Sequence, residues 1–91
     1  MRVTVRLFAR LKEIAGAPEL SRIVEPGATV GSLWRELTHE HAGLEGYDRS
    51  ISCAVNAEYA RWERALADGD EVAFLPPVSG GLASGIWELG D

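Results

Sequence analysis

Gly80 and Gly81, standing behind Pro76-Pro77-Val78-Ser79, are the residues whose types and spacing best suit chemistry done on the backbone itself. Two consecutive prolines fix φ and remove two backbone donors, so a strand that reaches Leu75 must stop there and the chain leaves in an extended, polyproline-like direction. Glycines at the end of such a stalk carry no Cβ. Their backbone can enter a narrow channel and set a carboxylate against a nucleotide phosphate without a side-chain clash.

Side-chain chemistry is poorly represented by comparison. His39-Glu40-His41 is the nearest approach to a metal cluster, but two histidines two apart on a helix point in different directions, so no metal is expected. A histidine near the negative end of a helix dipole is favourable without any ligand role. Cys53 alternates with Ile51 and Val55 and is expected to face inward as an inert thiol. No activated nucleophile and no matched acid and base are arranged along the chain.

The elements that must position the stalk follow from the apolar pattern. Arg2 to Phe8 alternates, with Val3, Val5 and Leu7 on one face and Arg2, Thr4, Arg6 and Phe8 on the other, which predicts a half-buried strand. Phe8, Leu11, Ile14 and Ala15 recur at helical spacing, and Gly16 suits the left-handed residue just past a short helix. A weaker strand spans Glu19 to Val24. Glu25-Pro26-Gly27 is a turn, Thr29 an N-cap, and Val30, Leu33, Trp34, Leu37 and His41 form the stripe of the main helix. Ala42 to Ser50 reads as a polar loop, Ile51 to Asn56 as a third strand, Asn56 to Glu58 as a turn and Tyr59 to Trp62 as a short edge strand. Asp68-Gly69 then turns the chain into a last strand, Glu71 to Leu75. This order suits a mixed sheet packed on one helix, an α+β domain.

The run Asp68-Gly69-Asp70-Glu71-Val72-Ala73-Phe74-Leu75-Pro76-Pro77-Val78-Ser79-Gly80-Gly81, with Val3 to Ala9 and Ala54-Val55-Asn56, closely resembles the small, sulfur-carrying subunits of molybdopterin synthase, a ubiquitin-related family. The resemblance covers residues 1–81. It implies a ubiquitin-like β-grasp in which the first and last strands pair in parallel at the centre of the sheet. It also implies that Gly81 is the reacting residue, through its terminal carboxylate. An E1-like adenylating enzyme transfers AMP from ATP onto that carboxylate, and sulfur displaces the AMP to leave a thiocarboxylate. The large synthase subunit then takes the stalk into its active site, where cyclic pyranopterin monophosphate becomes molybdopterin. Catalytic side chains belong to those partners, and no cofactor is stably bound to the carrier. Gly80 gives clearance, and Val78 anchors a stalk made of Pro76, Pro77, Val78, Ser79 and Gly80.

Strand parity puts Phe8 and Leu75 on the outer face of the sheet, where they are expected to face solvent beside the stalk and to add little to stability. With Tyr59 they would form a patch that, in the resembling family, contacts both partners, and Lys12 and Arg61 would stand at its rim. Two other functions remain open from the sequence. One is a ubiquitin-like modifier or binding module, and the other a sulfur carrier for tRNA thiolation or thiamine synthesis. The Phe74-Leu75-Pro76-Pro77-Val78 run favours the molybdenum branch.

The resemblance breaks after Gly81. Members of this type ordinarily end at the second glycine, whereas Leu82-Ala83-Ser84-Gly85-Ile86-Trp87-Glu88-Leu89-Gly90-Asp91 follows here. An amide offers no carboxylate to ATP, so a processing protease is expected to separate a carrier domain, 1–81, from a C-terminal extension, 82–91. Ile86 and Trp87 make that extension too apolar for a mere linker.

Composition narrows the class further. The chain has 91 residues, 46% hydrophobic and 25% charged, enough for one small domain. The formal net charge is −5; Glu88 and Asp91 supply two of the fourteen acidic residues, which leaves residues 1–81 at −3 with nine basic residues. Nucleic acid is therefore not an expected partner, and basic protein surfaces are. A single cysteine excludes an internal disulfide, the apolar runs are too short to cross a bilayer, and Met1-Arg2-Val3-Thr4 is no signal peptide. The expected compartment is the cytoplasm, without membrane association.

Overall fold

The computed structural model describes residues 1–77, so Val78, Ser79, Gly80, Gly81 and the extension lie outside the described residues. The chain runs β1 (Arg2–Leu7), α1 (Ala9–Ala15), β2 (Glu19–Ile23), α2 (Val30–Glu40), a 3-10 helix (Ala42–Tyr47), β3 (Ser52–Val55), β4 (Glu58–Ala60) and β5 (Glu71–Leu75). The strands form one sheet in the order β2-β1-β5-β3-β4. Its central pair is parallel, Thr4 opposite Glu71 through Leu7 opposite Phe74, and every other pair is antiparallel.

The apolar alternation explains which face is covered. Val3, Val5 and Leu7 of β1, Cys53 and Val55 of β3, and Val72 and Phe74 of β5 turn inward and meet Val30, Leu33, Trp34 and Leu37 of α2 in one core. Trp34 is the central plug. Its ring lies 4.9 Å from Phe74 and 6.3 Å from Trp62 between centroids, tilted in both cases, and its indole Nε1 donates to Asp48 Oδ1 at 2.6 Å. Buried tryptophan thus keeps a polar partner while its bulk fills the space between helix and sheet.

Local signals account for the ends of the helices. Thr29 Oγ1 accepts from Ser32 N at 3.1 Å while Ser32 Oγ accepts from Thr29 N at 2.9 Å, a reciprocal cap that starts α2. Gly16 closes α1 at φ 84°, in the left-handed region where a Cβ is costly.

Beyond strand ends shifted by one residue in β2 and β3, four features differ from the sequence reading. Phe8 stands outside β1 as the N-cap of α1, still extended at φ −121°, ψ 151°. His41 is the C-cap of α2 and no part of its stripe; its N–H bonds Leu37 O at 2.8 Å. The expected polar loop after α2 folds into the 3-10 helix because Leu44, a lone apolar residue in a polar run, is 0% exposed and joins the core. The edge strand is Glu58–Ala60, earlier than expected, because Asn56 and Ala57 make a two-residue turn with φ of 52° and 70°.

Candidate functional site at the stalk base and outer sheet face

The stalk leaves the middle of the sheet. β5 lies between β1 and β3, so hydrogen bonds on both sides hold Glu71 to Leu75 and fix the direction in which half-buried Pro76 and exposed Pro77 depart. Proline could not occupy a central strand itself, so the two prolines begin where the pairing ends.

A polar clasp sets the start of the same strand. Asp70 Oδ2 accepts from Ala67 N at 2.8 Å and Oδ1 from Asn56 Nδ2 at 3.0 Å, while Asn56 Oδ1 accepts from Glu71 N at 3.0 Å. Arg2 N donates to Asp68 Oδ1 at 2.8 Å, and Gly69 N to Arg2 O at the same distance. Asp70 is buried, and its carboxyl is held below the ordinary value chiefly by the Ala67 N–H and then by the Asn56 amide, against the opposing effect of burial. Gly69, at φ 87°, makes the preceding turn. Asn56 was read from the sequence only as a turn residue; its side chain joins that turn to β5.

On the face turned away from α2, register aligns Arg6, Ala73, Ala54 and Tyr59 in one row across β1, β5, β3 and β4. One step toward the stalk, Leu75 stands opposite Ser52, with Phe8 continuing from β1. Ala54, Ala73 and Leu75 form a second cluster, separate from the core, against which Phe8 packs. The Arg6 guanidinium lies 5.5 Å from the Phe8 ring centroid and reaches Glu71 at 3.8 Å, a partly exposed pair that contributes little by itself.

The structure therefore brings Phe8, Leu75 and Tyr59 to the outer face, as parity requires, but corrects the expectation that Phe8 and Leu75 face solvent. Leu75 is 1% exposed, in a cluster with Ala54 and Ala73 against which half-buried Phe8 packs; Tyr59 is 59% exposed. Lys12 and Arg61 are exposed, on α1 and just after β4. The strands that precede them, β1 and β4, are three strand spacings apart, roughly 14 Å. Sequence reasoning passed over Ala54 and Ala73. The signal was present, since Ala73 shares the parity of Leu75 on β5, Ala54 stands opposite Ala73 on β3, and a pair of alanines leaves a shallow floor there. At the β3–β4 margin a groove of about 380 Å³ is lined by residues including Ser52, Tyr59, Arg61, Trp62 and Glu63.

Cys53 sits inward as expected, 5% exposed, with its thiol pushed up to about 11 by burial. A thiol so protonated is a poor nucleophile at neutral pH. His39 is exposed at the end of α2, and no group of His, Cys, Asp and Glu among the described residues is placed to hold a metal ion.

A mixed sheet with its first and last strands parallel at the centre, one long helix across one face and a stalk leaving the central strand define a ubiquitin-like β-grasp domain. A model of the ThiS family matches residues 5–81. The chain belongs to that family. It is 37% identical over 83 residues to the molybdopterin synthase sulfur carrier subunit of Chlamydomonas reinhardtii, covering 89% of this chain and all of that one. The crystal structure of SAMP1 from Haloferax volcanii superposes with a TM-score of 0.78 at 38% identity, over 89% of this chain and 100% of the other. A complex of subunits 1 and 2 of molybdopterin-converting factor from Helicobacter pylori contains a chain with a TM-score of 0.64 and 27% identity, over 89% and 100% respectively.

Proposed function

We propose that this chain is the sulfur carrier of a molybdopterin synthase, acting through a C-terminal thiocarboxylate on Gly81. The observation that carries the reading is where the family match ends: it runs from residue 5 to residue 81, the second glycine of the stalk. Residues 1–81 are then the working carrier, and 82–91 an extension that a protease removes. The geometry supports a carried reagent, because β5 is held by hydrogen bonds on both edges and the two prolines end that pairing at the base of the stalk. The one described thiol is buried, with its pKa pushed up to about 11, which is in keeping with a carrier that reacts through its backbone terminus.

In this reading the Gly81 carboxylate attacks the α-phosphate of ATP on an E1-like adenylating enzyme and releases pyrophosphate. A sulfur nucleophile then adds to the acyl adenylate and expels AMP. The large synthase subunit receives the thiocarboxylate and transfers its sulfur to cyclic pyranopterin monophosphate; the paired subunits of the Helicobacter pylori complex support a partner of that kind. ATP is consumed on the activating enzyme, and the whole sequence is cytoplasmic. No helix among the described residues is long and apolar enough to cross a membrane, in keeping with that placement.

A second reading, a ubiquitin-like protein modifier, is favoured by the match to SAMP1, small archaeal modifier protein 1. One experiment separates the two. The chain ending at Gly81 is incubated with the activating enzyme, ATP and a sulfur donor, then with the large subunit and its pterin substrate. Exchange of one terminal oxygen for sulfur by mass, followed by molybdopterin formation, is the expected result. Activation followed only by isopeptide bonds to lysines would overturn the carrier reading in favour of the modifier.

A further inference from the structure

Ala54 and Ala73 are 0% and 6% exposed and Leu75 is 1% exposed, although all three point away from α2 and its core. Among the described residues, Phe8 is the partly buried apolar side chain packed against them, and it stands beside Leu75 at one end of the row. Alanine methyls are shorter than their neighbours on a sheet and make a floor, which stays wet unless a further layer lies across it. We propose that residues 82–91 of the same chain form that layer, with Ile86 and Trp87 seated on Ala54, Ala73 and Leu75 beside Tyr59.

Length, composition and charge favour this occupant over a separate molecule. The chain beyond the described residues continues from Pro77, two residues past the end of the strand that carries Ala73 and Leu75. Ten residues span at most about 33 Å when extended, about twice the roughly 17 Å of a five-residue strand, so the segment can cross the floor. Gly80 and Gly81 supply backbone able to reverse direction before it. Leu82, Ile86, Trp87 and Leu89 give it an apolar surface, and its only charges, Glu88 and Asp91, are acidic. Arg6 lies in the same row as the alanines, and exposed Arg61 follows β4 at the groove margin. Arg6, which also reaches Glu71 at 3.8 Å, and Arg61, beside Glu63, thus put basic groups at the margins of the apolar floor. A docked extension covers the face on which the stalk's partners would settle, so its removal uncovers that face as well as freeing the Gly81 carboxylate; this consequence, unlike the docking, rests on the sulfur-carrier reading.

The test uses the full chain. A nitroxide is attached through Ser84→Cys; Cys53, 5% exposed and with its thiol pushed up to about 11, does not compete for the label. Methyl resonances of Ala54, Ala73 and Leu75 are expected to broaden severalfold more than those of Val30, Leu33 and Leu37 beneath the sheet, and the contrast is expected to vanish when Ile86→Ser and Trp87→Ser are added. Equal broadening of both sets, or none, overturns the proposal. So does broadening that appears only when labelled chains are mixed with unlabelled ones, since the occupant would then be a second copy. Neither readout involves sulfur or ATP, so failure here and failure of the carrier reading are separate events.

Discussion

At the scale of single residues, burial and partner count decide what a substitution does. Leu75 was expected to be an exposed contact whose loss leaves stability untouched, yet it is 1% exposed and closes a cluster with Ala54, Ala73 and Phe8. Leu75→Ala therefore removes buried methyl groups from a central strand, and a loss of about 2–4 kcal/mol is expected in denaturant unfolding. An unchanged midpoint would show that Leu75 is a surface residue. Asp70 supports the fold differently. Its carboxylate accepts from the Ala67 N–H and the Asn56 amide, so its folded pKa lies below the ordinary 3.8, and the ionised form is the one the fold prefers. Such a group contributes stability above its unfolded pKa and loses it as pH falls through the folded value. The melting temperature should accordingly drop as pH is lowered from about 4, and Asp70→Asn should be less stable than wild type at pH 7 while showing a smaller acid-induced drop. Equal acid sensitivity in both proteins would assign the drop to other carboxylates.

At the scale of elements, the β3–β4 hairpin is the clearest case of a local sequence working against its own geometry. Its two turn residues, Asn56 and Ala57, both have positive φ, and Asn tolerates that region far better than Ala does. Ala57→Gly should raise stability by about 0.5–1 kcal/mol, the difference between relief of strain and the extra freedom glycine gains when unfolded. A thermal melt unchanged or lowered by the substitution would mean that the turn tolerates alanine without strain. Asn56 should not be exchanged in the same way, because its side chain also accepts from Glu71 N and donates to Asp70. Through those bonds the hairpin turn holds the start of β5, and β5 in turn aims the prolines.

At the scale of the whole molecule, the sequence by itself determined what is local. Alternation in β1 and β5, the Thr29 cap, the Gly16 and Gly69 turns and the proline stop each depend on residues within a few positions of one another, and each is found where the pattern put it. The same logic set the parity of Phe8, Leu75 and Tyr59, because side chains on a strand can point only two ways. Tertiary structure decided the rest. Parity gives a side but not an exposure, so it could not show that Leu75 is covered or that Ala54 joins Ala73 and Leu75 from the neighbouring strand. No local period marks Leu44 as core, since one apolar residue in a polar run acquires its role only when α2 and α1 bring a pocket to it. The parallel pairing of β1 with β5 joins residues nearly seventy positions apart. Contacts of that separation leave no periodic trace in the chain, because they are set by how whole elements pack once the local ones exist.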